Sequence, residues 1–156
     1  MSMQEKGVGE NIVIVDATSQ VLGRLASRVA KLLLEGKKVI VVNVEKAVVS
    51  GDPVMVIEAY KKLFNVSNFR DLEKQGIRRP RNPINLFKRT VRGMLPYKKP
   101  KGREALRRLT VHLGVPEGLD KASFIRFEDS DASKLPRKYI TLGELAKQMG
   151  WKGDSL

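Results

Sequence analysis

Residues 12–44 hold a β-branched run, an amphipathic helical stretch and a second β-branched run, and this order restricts the chain more than any other feature. "NIVIVDA" contains a short apolar strand, Ile12 to Val15. "TSQVLGRLASRVAKLLLEGKK" then spaces its apolar residues as a helix does. Val21, Leu25, Val29 and Leu32, with Leu22, Ala26 and Leu33 beside them, form one broad face. Thr18 or Ser19 is expected to cap its start, and Gly36 stands where a helix C-terminus often ends. "KVIVVNV" lacks the polar alternation of a half-exposed strand and suits one covered on both faces. A shorter extended piece, "AVVSGDP", leads to Asp52 as a cap and Pro53 as the first helical residue of "PVMVIEAYKKLFN". Strand, helix, strand, helix in this order predicts an α/β fold with a parallel sheet and right-handed crossovers.

The character changes after Phe69. "RDLEKQGIRRPRNPIN" is polar and broken by Gly76, Pro80 and Pro83, which predicts a surface excursion. Asn82 before Pro83 starts another helix, with Ile84, Phe87, Val91 and Met94 on one face, ended by Gly93 and Pro96. "KGREALRRLTVHLGVP" is expected to form a short helix with Leu106 and Leu109 inward, closed by Gly114 and Pro116. "SFIRF" is expected as a late strand. "TLGELAKQMGW" opens with a capping box, Thr141 and Glu144, and ends at Gly150. Residues 1–11 read as a loose polar tail without the apolar stretch of a secretory signal, and 12–156 as one domain large enough for a real core. No apolar run approaches the length of a membrane span, and the chain is expected to be soluble and cytoplasmic.

Charge is distributed unevenly along this chain. Of 30 Lys and Arg against 17 Asp and Glu, residues 78–108 hold twelve cations and a single acid, Glu104. The cations are Arg78, Arg79, Arg81, Lys88, Arg89, Arg92, Lys98, Lys99, Lys101, Arg103, Arg107 and Arg108. The remainder of the chain is nearly balanced. Like charges so close repel, so a polyanionic partner is the expected offset. Lys88 and Arg92 stand one helical turn apart, as do Arg103 and Arg107, and "GMLPYKKPKG" between them is expected to run extended around Lys98, Lys99 and Lys101. Each helix would dock an apolar face and present a cationic one. Arginine offers phosphate a planar fork and lysine a mobile point charge. Tyr97, set among these cations, is placed to stack on a base. Arg24 and Arg28, one turn apart on the first helix, suit either an extension of this surface or an ordinary solvated helix face. The segment lacks the long continuous amphipathic helix of a membrane-surface binder. It also lacks a helix-turn-helix, zinc-finger or basic-zipper pattern, which favours RNA over DNA.

Little here suggests catalysis. Cysteine is absent, so thiolate metal sites and cysteine nucleophiles are excluded, and one histidine, His112, cannot form a histidine metal cluster. "VDATSQVLGRLA" and "VVSGDP" stand where phosphate loops of nucleotide folds would, but neither has the glycine spacing, and no cofactor is expected. Asp16 is more simply a turn residue than an acid or base, His112 a packed residue, and Trp151 a core anchor.

"VDATSQVLGRLASRVAKLLLEGKKVIVVNVEKAVVSGD", followed by "RTVRGMLPYKKPKGREALRRLTVHLGVPEG", resembles the universal large-subunit ribosomal protein L13 (uL13) family from about Ile12 to the C-terminal helix. "RRPRNPINLFKRTVRGMLPYKKPKGREAL" is similar to the archaeal and eukaryotic form, without the long C-terminal helical extension of eukaryotic members. The resemblance implies a three-layer α/β/α domain with a four-stranded parallel sheet. It implies a structural, non-enzymatic part in the large subunit, with large-subunit rRNA and neighbouring ribosomal proteins as partners. On this chain the implied contacts fall on the cations of 78–108, with Arg24 and Arg28. A free-standing RNA-binding translational regulator would share these physical features. An RNA-modifying Rossmann-type enzyme would need a glycine-rich loop that "DATSQVLG" does not supply.

Overall fold

β1 (Ile12–Asp16) and β2 (Lys38–Val42) pair in parallel, Ile12 opposite Lys38 and Asp16 opposite Val42. The computed structural model describes residues 11–66, 79–119 and 123–153. Residues 1–10 of the expected tail, and Arg78, lie outside the described residues. Asn11 is tied to the sheet, its carbonyl accepting from the Lys38 N–H at 2.8 Å.

α1 (Leu22–Leu34) crosses from β1 to β2. Its expected face is the buried one: Leu22, Leu25, Ala26, Val29 and Leu33 are within the core, while Leu32 is half-buried. The cap expected at Thr18 or Ser19 is not formed. Helix α1 starts after Val21, with no side-chain cap. Thr18 is drawn back to the Asp16 carboxylate, and Ser19 turns left-handed at φ 56°. Gln20 and Val21 are occupied by β-type bridges to Asp131 and Val48, which delays the helix. Its C-terminus closes as expected. Gly36 at φ 90° donates to the Leu33 carbonyl and Lys37 to that of Leu32, the paired bonds of a Schellman ending.

The other side of β2 is taken by β4 (Leu109–Val111), again parallel, so the first sheet runs β1–β2–β4. Leu109 was expected on a helix face. Instead, α4 (Pro100–Arg107) stops first, and "LTV" completes the open edge of β2 with Leu109 and Val111 buried and Thr110 less so. Short apolar runs carry little period of their own, and an unpaired strand edge decides such cases. The four-stranded parallel sheet implied by the resemblance is therefore three-stranded among the described residues. "SFIRF" contributes one parallel bridge, Ile125 to Val15, through bonds of 3.0 and 2.9 Å with the backbone of Asp16 and Ile14. It then leaves the sheet for 3-10 turns at Glu128–Ser130 and Ala132–Lys134.

A second sheet, not anticipated from the sequence, pairs β3 (Val48–Ser50) antiparallel with β5 (Tyr139–Thr141). α2 (Pro53–Asn65) follows the expected cap, the Asp52 side chain accepting from the Val54 N–H at 3.0 Å, but none of its residues is fully buried. α3 (Pro83–Met94) and α5 (Leu142–Gln148) complete the chain, α5 capped by Thr141 through the Glu144 N–H. Leu25, Leu33, Val39, Val41, Phe87, Leu142 and Leu145 are completely shielded from solvent. Each such side chain is worth about 1.5–3 kcal/mol of burial, and α1 lies against β2, α3 and α4 alike.

Candidate nucleic-acid interface

Helix α3 begins where Asn82 accepts from the Ile84 N–H at 2.8 Å and Pro83 supplies a pre-set φ. Its buried side consists of Leu86, Phe87 and Val91, with Ile84 half-buried. Met94, expected inward, is 43% exposed, and Leu95 takes the inward place just beyond the helix. The opposite side presents Arg89, Arg92 and Gly93 to solvent, with Lys88 half-buried at its border.

The chain then turns rather than running extended. The Tyr97 N–H donates to the Leu95 carbonyl at 2.8 Å and the Lys99 N–H to that of Pro96 at 2.9 Å. Pro100 opens α4, which turns Gly102 and Ala105 inward and leaves Lys101, Arg103, Glu104 and Arg107 exposed. Gly102 passes so close beneath the turn that a Cβ there would sit 2.2 Å from the Pro96 carbonyl oxygen. The guanidinium of Arg92 lies over the Tyr97 ring, 4.1 Å from its centroid, a cation–π pair. Arg89, Arg92, Gly93, Pro96, Tyr97 and Lys99 border a groove of about 570 Å³, with no acid in its lining among the described residues.

Not every predicted contact residue faces outward freely. Arg81 donates to the Met149 carbonyl at 2.6 Å and lies 4.6 Å over the Phe64 ring. Arg108 donates to the Leu33 carbonyl at 2.7 Å, at the C-terminal turn of α1. Arg79 is half-buried. Arg28 pairs with the Asp129 carboxylate, and Arg24 reaches the Asp129 carbonyl at 3.4 Å. The hydrogen bond from Arg28 outweighs the opposing effect of burial and holds the Asp129 carboxyl below the usual carboxylate range. The structure thus brings Arg89, Arg92, Tyr97, Lys98 and Lys99 together at one place, continues outward along α4 through Lys101, Arg103 and Arg107, and gives Arg81 and Arg108 partners inside the fold.

Asp16 is engaged in a turn. Its Oδ1 accepts from the Thr18 N–H at 3.0 Å, the Thr18 hydroxyl at 2.7 Å and the Asn43 amide at 3.1 Å. Burial works to raise this carboxyl, but those bonds and the charge of Arg126 outweigh it and hold it low. His112 is half-buried beside β4, its backbone bonded to Val41 and Val44. Trp151 packs at the edge of the core. Among the described residues, no three His, Cys, Asp or Glu side chains gather as a metal site, and no helix is long and apolar enough to cross a membrane.

Sequence reasoning overlooked three contributors. Gly102 fixes the turn that carries Tyr97, and Gly93, expected to end the helix, lies within α3. Arg126, whose side chain donates to the Thr18 carbonyl at 2.7 Å, had no local signal, since its partner is 108 residues away.

By its geometry this is a small α/β protein with one strongly cationic face, formed by α3, the following turn and α4. The comparisons make the assignment specific. The family described as Ribosomal protein L13 matches residues 10–117. The large ribosomal subunit protein uL13 of Sulfolobus acidocaldarius is 54% identical over 141 residues, covering 90% of this chain and 95% of that protein. Its counterpart in Saccharolobus solfataricus is 51% identical over 146 residues, covering 94% and 97%. That of Methanocaldococcus jannaschii is 40% identical over 142 residues, covering 90% and 99%. The chain belongs to the ribosomal protein L13 (uL13) family.

Proposed function

We propose that this chain is a structural, non-catalytic constituent of the archaeal large ribosomal subunit, acting in the cytoplasm. In this reading it binds large-subunit rRNA through residues 78–108, needs no cofactor, sits beside neighbouring ribosomal proteins and supports subunit assembly. The observation that carries the reading is near-full-length identity of up to 54% to proteins named as large-subunit uL13. The outward cations of α3, the following turn and α4 support the choice of surface, with Arg24 and Arg28 as a second, partly neutralised contribution. The family likeness also favours taking residues 12–156 as one domain. It favours treating the Ile125 row as the fourth position of the sheet in a three-layer arrangement.

The test is sedimentation of cell extract with detection of this chain. Co-migration with the large subunit through a high-salt wash is the expected result. Recovery only among free proteins at physiological salt would refute the proposal and favour a free-standing regulator. The choice of surface has its own test. Affinity for large-subunit rRNA should fall linearly with log salt, and Arg92→Gln, Arg103→Gln and Arg107→Gln should each lower the slope by up to about 0.7–0.9. Lys61 and Lys62 on α2, replaced likewise, should change it much less. Equal slopes for all variants would mean that the segment is only a solvated face.

A further inference from the structure

We propose that the groove between the end of α3 and the turn at residues 96–99 takes a single unstacked nucleotide of the RNA. Its base would lie against the Arg92–Tyr97 pair and its phosphate on Lys99. This deepens the rRNA-binding reading above and rests on it.

Four observations converge on this place. First, the Arg92 guanidinium carbon lies 4.1 Å over the Tyr97 ring, which joins the two kinds of side chain on which splayed-out bases stack. Tyr97 remains 38% exposed, so the pair is not sealed within the protein. Second, the platform is held before any ligand arrives. The Tyr97 N–H is bonded to Leu95, and the backbone of Gly102 lies against Pro96 and Tyr97 with no room for even one added carbon. Third, the volume of about 570 Å³ falls within the range of about 300–1,000 Å³ typical of sites for small organic groups. A paired base cannot present its face there, so the occupant must come from a loop, a bulge or an end.

The fourth observation is Gly93. Glycine is among the least favoured residues in a helix, yet Gly93 lies within α3 without a left-handed φ, and a Cβ on it would meet nothing within 4 Å. The fold does not need a glycine there. Gly93 borders the same groove as Arg92 and Tyr97, so its lack of a side chain leaves that stretch of the wall bare. Among the described residues the lining is cationic and free of acids, which suits a nucleotide and its flanking phosphates.

The test uses the full chain, in-vitro-transcribed large-subunit rRNA and three variants, with thermal melting to verify folding. Tyr97→Leu removes the aromatic platform, Gly93→Leu fills the groove from a position that the fold leaves free, and Tyr97→Phe restores the ring. Tyr97→Leu and Gly93→Leu should each weaken binding by about five- to a hundredfold, the range for losing one base–aromatic stack. The slope against log salt should stay at the wild-type value, because neither change removes a cation. Tyr97→Phe should bind as the wild type does. Ultraviolet crosslinking with mass spectrometry should join Tyr97 to a nucleotide that is unpaired in the RNA. Wild-type affinity in either Leu variant, or a crosslink confined to paired nucleotides, would overturn the groove proposal while leaving rRNA binding intact. Failure of the wild-type chain to bind the rRNA would instead refute the underlying reading.

Discussion

Two glycines on successive helices offer the same chemical change with opposite expected signs. Gly102→Ala places a methyl 2.2 Å from the Pro96 carbonyl oxygen, 2.3 Å from its carbon and 2.9 Å from the Tyr97 nitrogen, whereas ordinary contact begins near 3.4 Å. All three obstacles are backbone atoms, so no side chain can swing aside. Helix α4 and the turn must separate by roughly 1 Å. That movement opens packing around Leu95 and Ala105, which are 6% and 0% exposed. Overpacking a well-packed site costs about 1–3 kcal/mol, and an immovable obstacle points to the upper end, about 3. For a domain of this length each kcal/mol moves Tm by about 2–4 °C, so melting should fall by roughly 6–12 °C. Gly93→Ala meets nothing within 4 Å and is helical, so it should gain about 0.5–1 kcal/mol and raise Tm by roughly 1–4 °C. Calorimetric melting of the two variants beside the wild type decides the matter. A Gly102→Ala protein as stable as the wild type, or shifts of the same sign in both, would refute the reasoning.

The Asp16 carboxyl is held below its ordinary value of about 4, so its hydrogen bonds stabilise the fold above that value and are lost as pH falls through the lowered one. Wild type should therefore lose stability more steeply in acid than Asp16→Asn, and parallel curves from pH 6 to 2.5 would remove the linkage. Arg108→Gln gives up the bond to the Leu33 carbonyl and should cost about 1.5–3 kcal/mol in urea unfolding. Its rRNA salt slope should nonetheless stay near the wild-type value, and a full-contact drop would show that Arg108 faces phosphate instead. Arg28→Gln should change the slope less than Arg92→Gln, since Asp129 already neutralises Arg28.

The βαβ unit was legible because each of its parts is long enough to carry its own period. The α1 face, the Gly36 ending, and the caps at Asp52, Asn82 and Thr141 all follow from neighbours within four residues. What escaped was decided at a distance. Leu109 to Val111 are a strand because β2 has a vacant edge, and β3 finds β5 some 90 residues later. The α1 cap failed because Gln20 and Val21 bridge to Asp131 and Val48, partners far along the chain that hold off the helix until Leu22. In the site, the sequence revealed charge but not direction. Arg92 and Tyr97 are near neighbours in the chain, yet their stacking depends on the turn that Gly102 permits.

Direction also explains how the fold carries so dense a set of cations. Arg81 and Arg108 stand near the two ends of the basic segment, and each donates to the carbonyl end of a helix. Arg81 reaches Met149, the residue that closes α5, and Arg108 reaches Leu33 in the last turn of α1. Helix C-termini carry unpaired carbonyls and a partial negative charge, so a guanidinium there is stabilising by about 0.3–1 kcal/mol beyond the hydrogen bond itself. The segment is thus clamped to the core at both ends by part of its own charge. The cations between those clamps, on α3, the turn and α4, stand on exposed faces apart from the half-buried Lys88, and there mutual repulsion costs only about 0.2–0.5 kcal/mol per helical pair. For Arg81 and Arg108, a helix end within reach makes a basic side chain part of the bonding that holds the segment to the core.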